Sequence, residues 1–320
     1  MEKIAIITSG GDAPGMNACL RAITRYALYN NFEVYGVERG YAGLLSNNIN
    51  KMTSRSVSDI IQRGGTILKT ARCVEFKELE SQKIAAQNLR ALGINNVIVI
   101  GGDGSFKGAK ALSDNFGVNV VGIPATIDND LAYTDYTLGF DTAVNTVISA
   151  INNIKDTMGS HDRVSLVEVM GNNCGDIAVY AAAAGGAEYC LIPEKSYKIE
   201  DVATSLMENH KKGKISNIIV LAEGGGDRQQ IHDRIKELTG ISVKITTLGH
   251  IQRGGAPSMA DRVLAARFAK HAVDTIIAKK TNRVVGIKEN KIFDQDISDA
   301  LAVPRKVDEE LYQLAHILSL

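Results

Sequence analysis

The 320-residue chain is longer than one hydrophobic core usually reaches, so it reads as about two domains or one large α/β unit. Apolar residues make up 45% and charged residues 22%, enough to bury a core without disulfides or structural metal, which excludes disorder as the main state. Thirty-six basic residues balance 36 acidic ones, so the basic excess of a nucleic-acid or anionic-membrane binder is missing and neither partner is expected.

Short β-rich apolar runs predict strands at 4–8, 33–37, 96–100, 118–123, 164–169, 190–192, 217–221 and 243–248. Segments of helical period lie at 17–29, 75–92, 142–156, 199–212, 227–238 and 260–278. Strands alternating with helices point to parallel sheets flanked by helices on both faces. The opening MEKIAIITSGG lacks the basic start, longer apolar stretch and cleavage site of a secretory signal, and no apolar run approaches roughly 18 residues, so a cytoplasmic chain is expected. Four cysteines at 19, 73, 174 and 190 form no CxxC or metal-like pairing, which fits a reducing compartment. Cys73, beside Arg72, reads as a reactive thiolate or, more plainly, as a packed or idle thiol, and no thiol chemistry is assigned to it. The five prolines are scattered and no Pro- or Ser-rich linker divides the chain, so two lobes would be joined by ordered crossings.

Several predicted strands run directly into glycine, and in open α/β sheets such loops line the ligand crevice. Gly10-Gly11-Asp12-Ala13-Pro14-Gly15 follows one strand and opens a helix, which suits a phosphate or simply makes a tight turn. It is neither a Walker loop nor a dinucleotide fingerprint. Gly101-Gly102-Asp103-Gly104-Ser105, with Gly108 a turn later, repeats the design around an acid that is a natural magnesium ligand at a phosphate site, although Asp-Gly also makes plain turns. Thr126-Ile127-Asp128-Asn129-Asp130 sets two carboxylates two residues apart, as a general base with a partner or as an Asx-rich turn with solvated acids. Met170-Gly171-Asn172, Glu223 and the 249–255 run also follow apolar runs; Glu223 suits sugar hydroxyls, Arg253 suits a phosphate, and a lone His250 is more often structural. Together these loops make phosphoryl transfer the leading reaction class.

The collinear set TSGGDAPGMN (8–17), GGT..K.AR (64–72, less closely), IGGDGS (100–105), TIDND (126–130), EVMG (168–171), AEG (222–224) and GHIQRGG (249–255) resembles the bacterial ATP-dependent 6-phosphofructokinases over nearly the whole chain. The resemblance implies an α/β fold of two similar lobes, each a largely parallel sheet flanked by helices, with the active site in the cleft between them. It implies an ATP-binding lobe at 1–139 with 252–304, a sugar-phosphate-binding lobe at 140–251 with 305–320, and assembly as a homotetramer. The implied reaction moves the γ-phosphoryl of Mg-ATP to the 1-hydroxyl of fructose 6-phosphate in glycolysis. Carried over residue by residue, Gly11, Tyr41, Arg72, Cys73, Gly102, Gly104, Ser105 and Gly108 line the ATP site, with Asp103 on Mg2+. Asp128 is the implied base; Asp130 assists near the metal, Thr126 holds the transferring phosphoryl, and Arg72 offsets charge building on the phosphate oxygens. Met170, Gly171, Asn172, Glu223, His250 and Arg253 hold the sugar phosphate, while Arg163 and Lys244 reach it from a neighbouring subunit.

Gly104 favours ATP, because pyrophosphate-dependent relatives carry an acid there and a lysine at the place of Ala125. Asn172 and Lys244 stand where the family usually has arginines, so weaker binding of fructose 6-phosphate or a broadened acceptor range is expected. The family's effector site for ADP or phosphoenolpyruvate maps onto Arg21, Arg25, Asp59, Glu188, Lys212 and Lys214, with Ser54 and Lys155 replacing arginines, so altered strength or selectivity is expected. Arg21 and Arg25 share a helical face, which without the resemblance is an ordinary solvated stripe. Besides an active phosphofructokinase, a sugar-phosphate kinase with a changed acceptor and a nucleotide-binding regulatory paralogue stand as alternatives; the intact Asp128 counts against the last.

Overall fold

A computed structural model describes residues 1–158, 164–214 and 216–319. The strands in chain order are β1 (Lys3–Thr8), β2 (Glu33–Val37), β3 (Ile49–Met52), β4 (Asn96–Gly101), β5 (Asn119–Pro124), β6 (Val164–Val169), β7 (Tyr189–Leu191), β8 (Asn217–Ala222), β9 (Val243–Thr247), β10 (Arg283–Lys288) and β11 (Lys291–Asp296). The helices are α1 (Met16–Tyr29), α2 (Gly40–Leu45), α3 (Leu79–Ala91), α4 (Asp103–Phe116), α5 (Phe140–Met158), α6 (Asp176–Gly185), α7 (Ile199–Lys211), α8 (Arg228–Thr239), α9 (Met259–Ile277), α10 (Ile297–Ala302) and α11 (Glu309–Ile317). Among the described residues no helix is long and apolar enough to cross a membrane.

Two units divide the chain. Unit 1 comprises Met1–Ile127, Leu131–Thr142 and Arg253–Arg305; unit 2 comprises Asp128–Asp130, Ala143–Gln252 and Lys306–Leu320. Unit 1 is built on a seven-stranded sheet in the order β11-β10-β5-β4-β1-β2-β3, parallel except for the edge strands β3 and β11. Its central strands are apolar without alternation, and Ile4, Ala5, Ile6 and Ile7 of β1 are all fully buried, as a strand covered on both faces requires. Unit 2 carries a fully parallel four-stranded sheet in the order β7-β8-β6-β9, with every residue of β6 and β8 buried. The α/β class of largely parallel sheets flanked by helices is therefore the observed one.

The eight predicted strands are all present within a residue or so at their ends. The predicted helix at 75–92 is divided: a 3-10 turn at Val74–Lys77 is followed by α3 after an extended Glu78. The buried Gln82 side chain causes the break, because its amide donates to Phe76 O at 3.0 Å and satisfies a carbonyl that a continuous helix would have used. The unpredicted hairpin β10–β11 turns on Glu289 and Asn290, both with positive φ, a conformation whose usual sequence marker is Asn-Gly.

Candidate active site

In unit 1 the parallel neighbours β1, β4 and β5 end on one edge of the sheet. The chain goes from β1 to β2 on one side and returns to β4 on the other, so the strand order reverses between β1 and β4, where open α/β sheets leave a crevice. Two glycine loops meet at that reversal: Ser9 N donates to Ile100 O at 3.0 Å, and a Cβ on Gly101 would collide with Ser9 O. Gly15, with φ of 102°, turns the first loop into α1, whose first amide, Met16 N, donates back to Ala13 O at 3.2 Å. Gly11 lies against the Arg253 guanidinium, and Arg253 Nη1 donates to Asp12 O at 3.4 Å. Arg253 thus belongs to unit 1, beside the first glycine loop.

Gly102 caps α4, and Asp103 opens its first turn with a 42% exposed side chain paired to Lys107 at 2.6 Å. A Cβ on Gly104 would meet no atom within 4 Å, so open space lies before it. Gly108 is the opposite case, because the Tyr41 ring would stand 2.9 Å from an added Cβ. Tyr41 is buried, stacks on Phe76 with centroids 4.2 Å apart, and donates its hydroxyl to Ser105 O, so it supports the first turn of α4 from beneath. The neighbouring loop is tied to the second glycine loop by Ala125 N donating to Gly101 O at 2.9 Å, and a Cβ on Gly102 would lie 3.8 Å from Thr126.

The segment carrying Arg72 is held by a residue the sequence reading left without a role. Buried Asn17 donates to Arg63 O at 3.2 Å and Gly64 O at 3.0 Å and accepts Ile67 N at 2.8 Å, while Thr8 Oγ1 donates to Lys69 O at 2.9 Å. Arg72 is exposed, and among the described residues its guanidinium has no hydrogen-bond or ion-pair partner. Burial, reinforced by Glu75, pushes the Cys73 thiol above its ordinary value and disfavours a thiolate.

In unit 2 the strand order reverses between β6 and β9, and the loops after β6, β8 and β9 again lie on one edge. Gly171 has φ of 142°, and a Cβ there would collide with Cys174 O, so only glycine fits. Asn172, also at positive φ, donates its backbone N–H to Glu223 Oε1 at 2.6 Å, which joins the Met170–Asn172 loop to the Glu223 turn. Gln252, fully buried, accepts Met170 N at 3.2 Å and donates to Gly249 O at 3.0 Å, joining the turn that carries exposed His250 to the same loop. Lys244 is exposed on β9. The Asp128–Asp130 stretch belongs to this unit: Cys174 Sγ donates to Asp128 O at 2.7 Å, and Asn129 Nδ2 to Asp176 Oδ2 at 3.0 Å. Asn17 and Gln252 both lie inside recognisable motifs, so the signal for them was present; Cys174 and Asp176 carried none.

Of the effector candidates, unit 2 gathers Lys155, Glu188 and Lys214. Lys155 Nζ donates to Gly185 O at 2.7 Å and Gly186 O at 2.8 Å, and Glu188 pairs with Lys214 at 3.3 Å beside a recess of about 300 Å3 lined by Lys155, Glu188 and Ser216. Lys212 is exposed at the end of α7. Arg21 and Arg25 lie on α1, while Ser54 and Asp59 are exposed in the loop after β3, all in unit 1. Arg163 lies outside the described residues.

Fold and loops together define a class: a two-unit α/β protein that presents glycine-rich, acid-bearing loops where parallel strand order reverses. Residues 3–276 match the family described as phosphofructokinase. The chain is 56% identical over 319 residues to ATP-dependent 6-phosphofructokinase 1 of Clostridium perfringens, and equally to ATP-dependent 6-phosphofructokinase of Clostridium botulinum strain Hall, covering 100% of each partner. Among solved structures, phosphofructokinase from Saccharomyces cerevisiae superposes with a TM-score of 0.89 at 33% identity over 100% of this chain, which spans 48% of the yeast chain. A pyrophosphate-dependent phosphofructokinase from Marinobacter aquaeolei, at 19% identity, matches 99% of this chain and 91% of its own with a TM-score of 0.86, a likeness of fold alone. The chain belongs to the phosphofructokinase family.

Proposed function

We propose that this chain is an ATP-dependent kinase that transfers the γ-phosphoryl of ATP to the 1-hydroxyl of fructose 6-phosphate, releasing ADP and fructose 1,6-bisphosphate. The observation that carries the reading is the meeting of the 9–15 and 101–105 loops at the β1/β4 reversal, in a chain 56% identical to named ATP-dependent relatives over its whole length. Phosphoryl transfer asks a protein chiefly for positioning and charge stabilisation, and this scaffold supplies both.

Unit 1 holds the nucleotide. Gly11, Gly102, Gly104 and Ser105 bring backbone close to the phosphates, Tyr41 and Gly108 shape the first turn of α4 behind them, and Cys73 borders the same side. Magnesium, when bound, supplies divalent charge that screens the phosphate oxygens. Asp103 fits it: a hard oxygen donor, 42% exposed, whose present partner Lys107 is an exposed and flexible cation. Thr126 hydrogen-bonds the phosphoryl in transit, and Arg72, free among the described residues, offsets the charge that builds on its oxygens. Asp128 takes the proton of the 1-hydroxyl as the new phosphorus–oxygen bond forms and the bond to ADP breaks. Asp130 supplies a second negative charge near the magnesium.

Unit 2 binds the acceptor through Met170, Gly171, Asn172, Glu223 and His250, with Arg253 on the phosphate side. Glu223 Oε1 is engaged by the backbone N–H of Asn172, which leaves the carboxylate's other oxygen for a sugar hydroxyl. Arg163 and Lys244 serve a neighbouring subunit of a homotetramer, and the recess at Lys155, Glu188 and Lys214 takes ADP or phosphoenolpyruvate as effector. The protein works in the cytoplasm. A changed acceptor is the second reading, favoured by Asn172 and Lys244 in places where the family has arginine.

Asp128→Asn tests the assignment. Turnover should fall about 100- to 10,000-fold while a fluorescent ATP analogue still binds; unchanged turnover would remove Asp128 as base.

A further inference from the structure

Asp261 lies in the first turn of α9 and is 1% exposed. Its Oδ1 accepts Gly139 N at 2.8 Å; its Oδ2 accepts Thr142 N at 2.9 Å and the Thr142 hydroxyl. That hydroxyl in turn accepts Ser258 N at 2.9 Å, so the 139–142 stretch is bound to the start of α9 at several points. A carboxylate receiving backbone amides forms charge-assisted bonds stronger than neutral ones, which makes this a rigid anchor.

The anchored segment touches two loops of unit 1. Thr137 Oγ1 donates to Thr126 O at 2.6 Å, and Leu138 N donates to Pro124 O at 3.0 Å, so residues 137 and 138 hold both ends of the turn that carries Thr126. On the other side Gly139, with φ of 99°, has room for no Cβ because Ala13 would stand 2.7 Å away and Pro14 3.1 Å. Gly15 approaches the Cβ of Asp261 itself.

We infer that Asp261 is a positioning residue: through Gly139, Thr142 and Thr137 it sets where Thr126 stands relative to the Ala13–Gly15 turn. The inference rests on the reading that Thr126 meets the transferring phosphoryl. Misalignment by a fraction of an ångström lowers the rate of such a step while substrates continue to bind. The role therefore belongs to kcat and not to KM.

Asp261→Asn replaces one acceptor oxygen by an amide that confronts a backbone donor. Thr137→Val removes the Thr126 contact at nearly constant volume. In steady-state kinetics each is expected to lower kcat about 10- to 100-fold, with KM for ATP and for fructose 6-phosphate changed less than about twofold. The double variant should be no slower than the slower single one, because both act on one linkage. Asp294→Asn, which removes a buried ion-pair hub elsewhere in unit 1, is the control for lost stability and should leave kcat unchanged. The inference is overturned by a wild-type kcat in Thr137→Val, which holds even if Asp261→Asn does not fold, or by multiplicative effects in the double variant. A wild-type chain inert with every donor sinks the phosphotransfer reading itself, and the inference with it.

Discussion

Gly104 is the position at which the proposed function expects a single residue to select the donor. An added Cβ meets nothing within 4 Å, so the fold does not need glycine there; the empty space does. Gly104→Asp is expected to keep the melting temperature within a few degrees, since acids are well placed in the first turn of a helix, and to abolish ATP turnover. Loss of folding would show that the glycine is structural after all. Asp294 is a residue of the opposite kind, tied to His271, Lys280 and Arg283 of its own unit. Burial pushes its carboxyl up, but hydrogen bonds from Lys280, His271 and Arg283 outweigh that and hold its pKa down to about 2. A depressed carboxyl adds stability above the unfolded-state value and loses it as pH falls through the folded one. Wild type should thus melt well above Asp294→Asn at neutral pH, and the gap should close between about pH 4 and about pH 2; a gap independent of pH would contradict the assignment.

Strands and loops, one level up, owe their order to side chains that face inward. Gln252 links the turn after β9 to the loop after β6, so Gln252→Ala leaves Met170 N without that acceptor and loosens Gly171 and Asn172. KM for fructose 6-phosphate should rise about tenfold, an effect worth about 1.4 kcal/mol, while KM for ATP stays put; equal rises in both would place Gln252 outside the acceptor half. The central strands were legible because apolar runs such as 96–100 have few other fates in a parallel sheet. Helix α6 was not, since Ala181–Ala184 offers no contrast between faces, and β3 was not, since Asn50 and Lys51 are exposed on an edge. The glycine loops were legible as strand-end loops suited to a phosphate or to a tight turn, and the roles proposed for them came from the resemblance. Asp261 was hidden, because a carboxylate inside a helix reads as a solvated one until its donors from Gly139 and Thr142 are seen.

At the scale of the molecule, two largely parallel sheets each open at a strand-order reversal, and each reversal gathers its own set of residues: glycines with Asp103 in unit 1, and Gly171, Glu223 and His250 in unit 2. That division follows from topology, because adjacent parallel strands deliver their carboxyl ends to the same edge. On the proposed reading, Asn172 and Lys244 offer an amide and a point charge where the resemblance places planar arginine forks, so weaker acceptor binding is expected. Asn172 N donates to Glu223, so that loop remains joined to the Glu223 turn and the expected loss is one of affinity and not of alignment. The most direct test is steady-state ADP formation by the wild-type chain with Mg-ATP, using fructose 6-phosphate beside other phosphorylated ketoses, and with pyrophosphate as alternative donor. The account predicts turnover with ATP and none with pyrophosphate, and a KM for fructose 6-phosphate above that of relatives that keep both arginines. A folded chain that releases no ADP with any acceptor, or that prefers pyrophosphate, would contradict it.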